Sequence, residues 1–268
     1  MSAPLPVPIV LFGAGGRMGR EAAAVIRDDP GCALVRAVDS ASHPDLGRPL
    51  TDVRGRSAAP PLEGSLDGLP PDAVVIDFSL PAGFRRLAAA LIRSPRPLVT
   101  GTTGLGPDDE TLLAELAKSA PVLHAPNMSV GVAAVRAAAA MLTRALGESF
   151  DVEVLEIHHS AKKDAPSGTA LALGREVVRA RGGTAALADR GTSARTPGQV
   201  GVAALRGGAV VGEHTVFFLG QDERVELTHR ASSRGLFARG AVRAAKWIAG
   251  RPPGRYAIDD VLSATLRP

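Results

Sequence analysis

The feature that most constrains the fold is the alternation of short apolar segments with helical segments in the first half of the chain. Predicted strands occupy residues 7–12, 33–38, 73–78, 97–100 and 122–124, and predicted helices occupy residues 21–27, 84–93 and 108–119. Strands that are joined by helical crossovers run parallel, and the helices cover both faces of their sheet. The first half is therefore predicted to be an α/β domain with a doubly wound parallel sheet.

The second half has a different pattern, in which several strands follow one another with glycine-rich turns between them. Predicted strands occupy residues 150–159, 199–206, 209–219 and 224–229, predicted helices 167–181 and 236–249, and a polar loop 182–200. Strands joined by short turns pair in antiparallel fashion. This half is predicted to be a smaller α+β domain with a mixed, largely antiparallel sheet.

Composition limits the class of protein and of partner. The single cysteine, Cys32, excludes an internal disulfide framework and a multi-cysteine metal site. The 31 basic residues are scattered among 27 acidic ones and only nine residues are aromatic, which argues against nucleic acid as a partner. Arg136 and Arg144 interrupt the longest apolar stretch, and the N-terminus lacks the features of a secretion signal. A protein without a membrane span, located in the cytoplasm, is expected.

The first predicted strand leads into a glycine-rich segment, Gly13-Ala14-Gly15-Gly16-Arg17-Met18-Gly19. A strand that passes through glycines into a helix lets backbone N–H groups approach a pyrophosphate at the positive end of that helix. Met18 takes the place of the third glycine in the usual spacing, so the segment alone is a weak signal. Asp39 strengthens it, because a carboxylate at the end of the second strand can bind ribose hydroxyls. Together they predict a dinucleotide site.

Two further loops follow predicted strands of the same sheet. They are Gly101-Thr102-Thr103 and Ala125-Pro126-Asn127-Met128. Ordinary turns use the same residue types, but ligands of such sheets bind at the carboxyl ends of the strands. Their joint placement along one edge of the sheet makes both loops candidate ligand-binding loops.

The most specific segment places two histidines, two lysines and a helix start close together in the sequence. His158 and His159 end a strand, Lys162 follows, and Ser167-Gly168-Thr169 opens a helix. Histidine suits acid catalysis near neutral pH, lysine anchors or protonates an anion, and the N–H groups of a helix start bind a carboxylate. The alternative is that both histidines pack internally and that Lys162 is a surface charge.

Other histidines are expected to be structural. His124 and His214 stand apart from these motifs, and no spacing of carboxylates and histidines indicates a metal site.

The motifs resemble, in order and over essentially the whole chain, those of the dihydrodipicolinate reductase (4-hydroxy-tetrahydrodipicolinate reductase) family of lysine and diaminopimelate biosynthesis. The shared segments are GAGGRMG, DFS, GTTG, APNMSVGV, ExxExHH, K-x-DAPSGTA, LRGG, VGEH and THRASSR. The DAPSGTA segment with its upstream histidine and lysine is the most specific of them, whereas the glycine loop is not specific.

The resemblance implies reduction of a cyclic dicarboxylate by NADH or NADPH, with loss of water. It implies that His158 is the proton donor, that Lys162 is a second donor or carboxylate anchor, and that His159, Ser167, Gly168, Thr169 and Arg234 bind substrate. The dinucleotide would contact Gly13, Ala14, Gly15, Gly16, Arg17, Met18 and Asp39, with Gly101, Thr102, Thr103, Ala125, Pro126, Asn127 and Met128 at the nicotinamide end.

The resemblance also implies a domain division and an assembly. Residues 1–128, completed by 236–268, would bind the dinucleotide, and residues 129–235 would bind substrate and form a homotetramer. Because Asp39 is followed by Ser40 rather than by an arginine, we expect a modest preference for NADH, with Arg17 close enough to soften it.

Two other functions fit parts of the sequence. One is a different Rossmann-type oxidoreductase for a small amino or dicarboxylic acid, such as an aspartate dehydrogenase, and the DAPSGTA segment argues against it. The other is a non-catalytic nucleotide-binding relative, and the presence of His158 and Lys162 argues against that.

Overall fold

The computed structural model describes residues 5–183, 185–189 and 194–266. The chain forms two compact units. Unit 1 is Met1–Val130 together with Arg234–Pro268, and unit 2 is Gly131–Ser233.

Unit 1 is built on an eight-stranded sheet. Its strands are β1 (Val7–Phe12), β2 (Cys32–Val38), β3 (Pro49–Thr51), β4 (Ser57–Glu63), β5 (Val74–Asp77), β6 (Leu98–Thr100), β7 (Pro121–His124) and β13 (Gly254–Tyr256). They lie in the order β13-β7-β6-β5-β1-β2-β4-β3, and all pairings are parallel except that of β3 with β4. Its helices are α1 (Arg17–Asp28), α2 (Pro81–Arg93), α3 (Pro107–Leu116), α6 (Gly235–Ile248) and α7 (Ile258–Leu266).

The core of unit 1 forms because its central strands are apolar on both faces. Strand β1 buries Ile9, Val10, Leu11 and Phe12, and β5 beside it is buried throughout. Parallel strands that are covered by helices on both faces show this continuous apolar pattern. The predicted α/β fold with a doubly wound parallel sheet is confirmed.

Four elements of unit 1 escaped prediction. They are the strands β3, β4 and β13 and the helix α7. Strand β4 contains Pro60 and Pro61, which lack the N–H donor of a sheet ladder and argue against a strand in sequence reading. It pairs with β2 through only two residues near its end, so these prolines are tolerated near the edge of the sheet.

Unit 2 contains a five-stranded mixed sheet and two helices. The strands are β8 (Asp151–His158), β9 (Leu187–Asp189), β10 (Val200–Arg206), β11 (Gly212–Leu219) and β12 (Arg224–Ala231), in the order β12-β11-β8-β10-β9. The helices are α4 (Val130–Leu146), which a 3₁₀ turn at Gly147–Ser149 follows, and α5 (Gly168–Ala180). One face of the sheet and both helices share a core that includes Val154, Val202, Phe218, Leu173 and Ala139.

The sheet of unit 2 is mixed, as predicted, but the direction assigned to one strand was wrong. Strand β10 pairs in parallel with β8 on one side and with β9 on the other, and it does not pair with β11. Only the pairs β11–β12 and β11–β8 are antiparallel. Helix α5 and β9 lie between β8 and β10 in the chain, and this long connection allows a parallel crossover. The predicted polar loop contains β9, and its residues 184 and 190–193 lie outside the described residues.

Helix α4 with the turn after it, Val130–Ser149, is long and apolar enough to cross a membrane by length and composition. The sequence predicted no such segment, but Arg136 and Arg144 do not lower its average hydropathy enough to exclude it. The helix buries Ala139 in the core of unit 2. Only 22% of the segment is buried, which is less than in a typical core helix, and a single segment of this kind is weak evidence for a membrane.

Candidate active site

The glycine loop of unit 1 forms a sharp turn that only glycine can make. Gly13 has a φ of +73°, and a Cβ there would lie 2.8 Å from the carbonyl carbon of Phe78. A Cβ at Gly19 would lie 2.2 Å from the carbonyl oxygen of Gly13, so the start of α1 packs directly on the loop. Helix α1 begins at Arg17, four residues before its predicted start, and Gly16 provides no side-chain cap. The N–H groups of its first turn are therefore available to an anion.

Asp39 is held against this loop by two backbone donors. The N–H of Gly15 donates to Oδ2 at 2.8 Å, and the N–H of Ser40 donates to Oδ1 at 2.7 Å. The ring of His43 also lies against the loop, because a Cβ at Gly15 would be 2.4 Å from its Nε2. Asp39 thus lies next to the glycines, where a ribose bound at the loop would meet it. These residues fit a dinucleotide.

The two other predicted loops of unit 1 meet beside the end of β5. Gly101 N donates to the carbonyl oxygen of Asp77 at 2.9 Å, and Ala125 N donates to that of Thr100 at 3.1 Å. The buried Asp77 carboxylate accepts from the hydroxyls of Thr100 and Thr102 at 2.7 and 2.8 Å. This carboxylate, for which no role was predicted, ties the loop at Gly101 to the end of β5 through the Thr102 hydroxyl.

Other members of these two loops differ in exposure. Met128 is buried, whereas Thr103 and Pro126 are exposed. Asn127 accepts from the N–H of Ser129 at 2.9 Å, which shapes the turn before α4.

In unit 2, His158 is the last residue of β8 and lies on the buried face of that strand. Its Nδ1 is 2.5 Å from Oε2 of Glu156, which occupies the same face two residues earlier and is fully buried. Arg206 stands opposite His158 in the register of β8 and β10. Its Nη1 and Nη2 each lie 2.7 Å from a different oxygen of Glu156. The site therefore contains a carboxylate that contacts both a histidine and a guanidinium.

The electrostatics of Glu156 favour its charged form. Burial by itself raises the pKa of this carboxyl, but the hydrogen bonds from Arg206, His158 and the N–H of Ser167 outweigh burial and lower the pKa below its ordinary value. The Ser167 contact is 2.9 Å long and joins Glu156 to the start of α5.

Helix α5 begins beside this carboxylate. Ser167 is its N-cap, and the serine Oγ accepts from Ala170 N at 3.2 Å. Gly168 is exposed and has no neighbouring atom where its Cβ would lie, and Thr169 is partly exposed. The start of this helix therefore has room for an anion.

Lys162 and His159 lie in the loop between β8 and α5. Lys162 Nζ donates to both oxygens of Asp164, at 2.7 and 2.8 Å, and its backbone N donates to the carbonyl oxygen of His159 at 3.1 Å. The bond to Lys162 lowers the pKa of Asp164. Arg234 belongs to unit 1, where it is the N-cap residue of α6.

Two family profiles match the chain almost end to end. Residues 7–128 match the profile described as dihydrodipicolinate reductase, N-terminus, and residues 131–262 match that described as dihydrodipicolinate reductase, C-terminus. The chain belongs to the dihydrodipicolinate reductase family. It is 44% identical to a 4-hydroxy-tetrahydrodipicolinate reductase of Anaeromyxobacter dehalogenans (strain 2CP-1) over 95% of this chain and 97% of the relative. It is 42% identical to the 4-hydroxy-tetrahydrodipicolinate reductase of Syntrophotalea carbinolica, over 96% of this chain and 98% of the relative.

Solved structures share the fold of this dihydrodipicolinate reductase family member. The dipicolinate-bound dihydrodipicolinate reductase from Paenisporosarcina sp. TG-14 has a TM-score of 0.72 and 21% identity, over 94% of this chain and 97% of the other. GenD2 from gentamicin A biosynthesis, solved in complex with NAD, has a TM-score of 0.56 and 18% identity, over 99% of this chain and 93% of the other.

Three charged residues that support the candidate site of this reductase family member were given no role from the sequence, namely Asp77, Glu156 and Arg206. Glu156 and Arg206 lie within the quoted ExxExHH and LRGG segments but received no role. His214, which was expected to be structural, lies in edge-to-face contact with His158 at 5.2 Å between ring centroids, and its Nε2 is 3.1 Å from Oγ of Ser167. The available signal was the spacing of Glu156, because residues two apart on a strand share a face.

Proposed function

We propose that the chain catalyses the reduction of 4-hydroxy-tetrahydrodipicolinate to tetrahydrodipicolinate by NADH or NADPH, with loss of water, in lysine and diaminopimelate biosynthesis. The observation that carries this proposal is the arrangement in unit 2 of a buried histidine held by Glu156, a lysine loop and an open helix start. It occurs in a chain whose two halves match the two parts of one reductase family.

Unit 2 supplies groups suited to a cyclic dicarboxylate. Lys162 carries a compact positive charge, and the N–H groups at Gly168 and Thr169 begin a helix whose dipole favours an anion. We assign one carboxylate of the substrate to this region, with His159 and Ser167 beside it, and we assign a further carboxylate contact to Arg234, which belongs to unit 1. A related reductase was solved with dipicolinate, a planar dicarboxylate, which supports this class of ligand.

The chemistry needs a hydride and a proton. Gly13–Met18 and Asp39 would hold NADH or NADPH, with Gly101–Thr103 and Ala125–Met128 at its nicotinamide end, and the bound cofactor would supply the hydride. After water is lost, hydride addition to the conjugated C=C/C=N system leaves negative charge that the ring nitrogen stabilises. His158 then donates the proton that completes the reduction, and Lys162 stabilises the carboxylate or acts as a second donor.

Cofactor preference follows from the end of β2. The Asp39 carboxylate suits the two free ribose hydroxyls of NADH and repels the 2′-phosphate of NADPH. We therefore propose a modest preference for NADH, with Arg17 in the adjacent loop allowing measurable use of NADPH.

Each of the two parts of the chain that the resemblance defines is assigned one task, and the bounds of these parts differ by two residues from those of the compact units. Residues 1–128 with 236–268 bind the dinucleotide, and residues 129–235 bind substrate and assemble a homotetramer in the cytoplasm. The face of the second sheet opposite the helices supports this assembly, because Leu155, Ile157 and Phe217 are only partly buried there and Leu205 is 52% exposed.

The decisive experiment measures NADH oxidation with substrate made in situ by the synthase that precedes this step. Wild type should be active, and His158→Ala should lower kcat by about 10²–10⁴-fold, because general acid catalysis contributes that much. Cofactor affinity should stay nearly constant, since His158 belongs to unit 2 and the glycine loop to unit 1. Near-normal turnover in His158→Ala would remove this residue as the acid, and an inactive wild type would favour one of the two other functions.

A further inference from the structure

Glu156 is a fully buried carboxylate that accepts four hydrogen bonds from three residues in three different parts of unit 2. The donors are the imidazole Nδ1 of His158 on its own strand, both terminal nitrogens of Arg206 on β10, and the N–H of Ser167 at the start of α5. The guanidinium contact is bidentate, which is the strongest form of this pairing. These hydrogen bonds lower the pKa of Glu156 below its ordinary value despite its burial, and they thereby favour the charged carboxylate.

This arrangement decides which nitrogen of His158 carries a proton. An ionised carboxylate accepts hydrogen bonds only, and Glu156 lies 2.5 Å from Nδ1. Nδ1 must therefore be the protonated nitrogen in the neutral ring. Nε2 is then the atom that gains a proton to form the imidazolium and loses it again.

Gly212 leaves space beside that second nitrogen. A Cβ at this position would lie 2.9 Å from Nε2 and 3.2 Å from Cδ2 of His158, so any other residue would crowd the reactive edge of the ring. The neighbouring ring of His214 does not compete for this role, because its Nε2 contacts Ser167 and burial lowers its pKa to about 4.

We propose that Glu156 and Arg206 are positioning residues that fix His158 with its proton on Nδ1 and present Nε2 as the proton-transfer atom. Arg206 also donates through Nη2 to the carbonyl oxygen of Asp164, so the same guanidinium anchors the loop that carries Lys162. The inference rests on the proposed function, in which His158 is the acid, but its central claim concerns the state of the ring in the free enzyme.

The first test therefore needs no turnover. Nitrogen-15 NMR of the full chain with labelled histidine reports which ring nitrogen of each of the six histidines is protonated, and His158→Asn identifies the signal of His158. Above the pH at which the ring is charged, wild type should show a protonated Nδ1 and a bare Nε2. The opposite tautomer in wild type overturns the proposal without any variant of Glu156.

The second test uses Glu156→Gln, which keeps the shape and removes the charge. The guanidinium of Arg206 can only donate hydrogen bonds, so the amide oxygen of Gln should stay on the side of Arg206. The amide NH₂ should then face His158. Nδ1 must then accept, and the NMR signal should change to the Nε2-protonated form. We expect kcat to fall at least about 10²-fold, as for other carboxylate–histidine pairs, with the KM for NADH changed less than about twofold.

A matched control lies on the same strand. Glu153 also pairs with an arginine, Arg195, but on the other face of β8. Glu153→Gln should leave both the tautomer of His158 and kcat unchanged.

The two hypotheses fail separately. An unchanged tautomer in Glu156→Gln overturns the positioning proposal whatever the activity. Near-normal kcat in His158→Ala overturns the proposed acid, while a protonated Nδ1 in wild type still supports the role of Glu156. If Glu156→Gln does not fold, Arg206→Lys takes its place, with Nδ1 still protonated and kcat lowered, because one ammonium cannot bind both oxygens. A bare Nδ1 or normal kcat in Arg206→Lys contradicts the proposal.

Discussion

His158 and His214 are neighbouring imidazoles that the fold places in very different electrostatic surroundings. The carboxylate of Glu156 lies against His158, whereas His214 is buried and has a serine hydroxyl as its partner at Nε2. Burial is the main cause, and the proximity of His158 a second cause, of a pKa of about 4 for His214. His214 is therefore neutral at pH 7, in keeping with a packing role.

The depressed pKa of His214 predicts a loss of stability in acid. The unfolded chain has the ordinary value of 6.5 and takes up a proton first, so the free energy of unfolding falls as the pH drops from about 6.5 toward 4. Between pH 7 and pH 5 this one group should remove about 2 kcal/mol. Urea unfolding of wild type and His214→Gln at both pH values measures it, because the variant lacks the titrating ring. An equal loss in the two proteins would contradict the assignment to His214.

Residue type determined which candidate site residues the sequence could indicate. His158 and Lys162 stood out because histidine is scarce and only four lysines occur in the chain. Glu156 did not stand out among 27 acidic residues, and its partner Arg206 is 50 positions away in the sequence. Only the pairing of β10 with β8 brings the two together, and that pairing was not foreseen.

At the scale of elements, the ends of parallel strands carry most of the candidate dinucleotide contacts. Strand β1 runs through the glycine loop into α1, and β2 ends at Val38, directly before Asp39. The apolar pattern of buried strands predicts these ends well, because both faces are covered and turn residues follow at once. The direction of β10 was not predictable in the same way, since glycine-rich turns near it resemble those of an antiparallel sheet.

The end of β2 provides a test of cofactor preference. Ser40→Arg adds a cation beside Asp39 that can bind a 2′-phosphate, and Asp39→Ser removes the like charge. Each substitution should raise the kcat/KM for NADPH relative to the kcat/KM for NADH. For the added arginine we expect a rise of about tenfold, because a charged hydrogen bond contributes about 1.5–3 kcal/mol. Ser94→Arg, at the exposed end of α2, adds the same charge elsewhere in unit 1 and should leave the ratio unchanged. A wild type that favours NADPH would show that Asp39 does not set the preference.

At the scale of the whole molecule, the sheets of the two units differ in how their faces are covered. The sheet of unit 1 has helices from both halves of the chain, since α6 contacts β1, β5, β6 and β7. In unit 2, the helices α4 and α5 pack against one face of the sheet and share its core. Apolar side chains on the other face, such as Leu205, need a further partner to leave water.

That face predicts the effect of a single charge on assembly. Leu205→Glu would bury a carboxylate in the proposed tetramer interface, which costs several kcal/mol without a partner. Sedimentation velocity should show wild type at four times the 27.5 kDa chain mass and the variant as smaller species. Ile92→Glu changes a residue that is 40% exposed on α2 and should leave the mass unaltered. A monomeric wild type would contradict the proposed assembly.

The ion pair between Lys162 and Asp164 has a consequence for selectivity. A ligand carboxylate that reaches Lys162 replaces an anion that is already there, at 2.7 Å, so this contact is an exchange of counter-ions rather than the neutralisation of a bare cation. A compound with one carboxylate gains little from such an exchange. A compound with two gains from the second group as well, which can meet other donors such as the N–H groups that open α5. The pair thus favours dicarboxylates over the many simple acids of a cell.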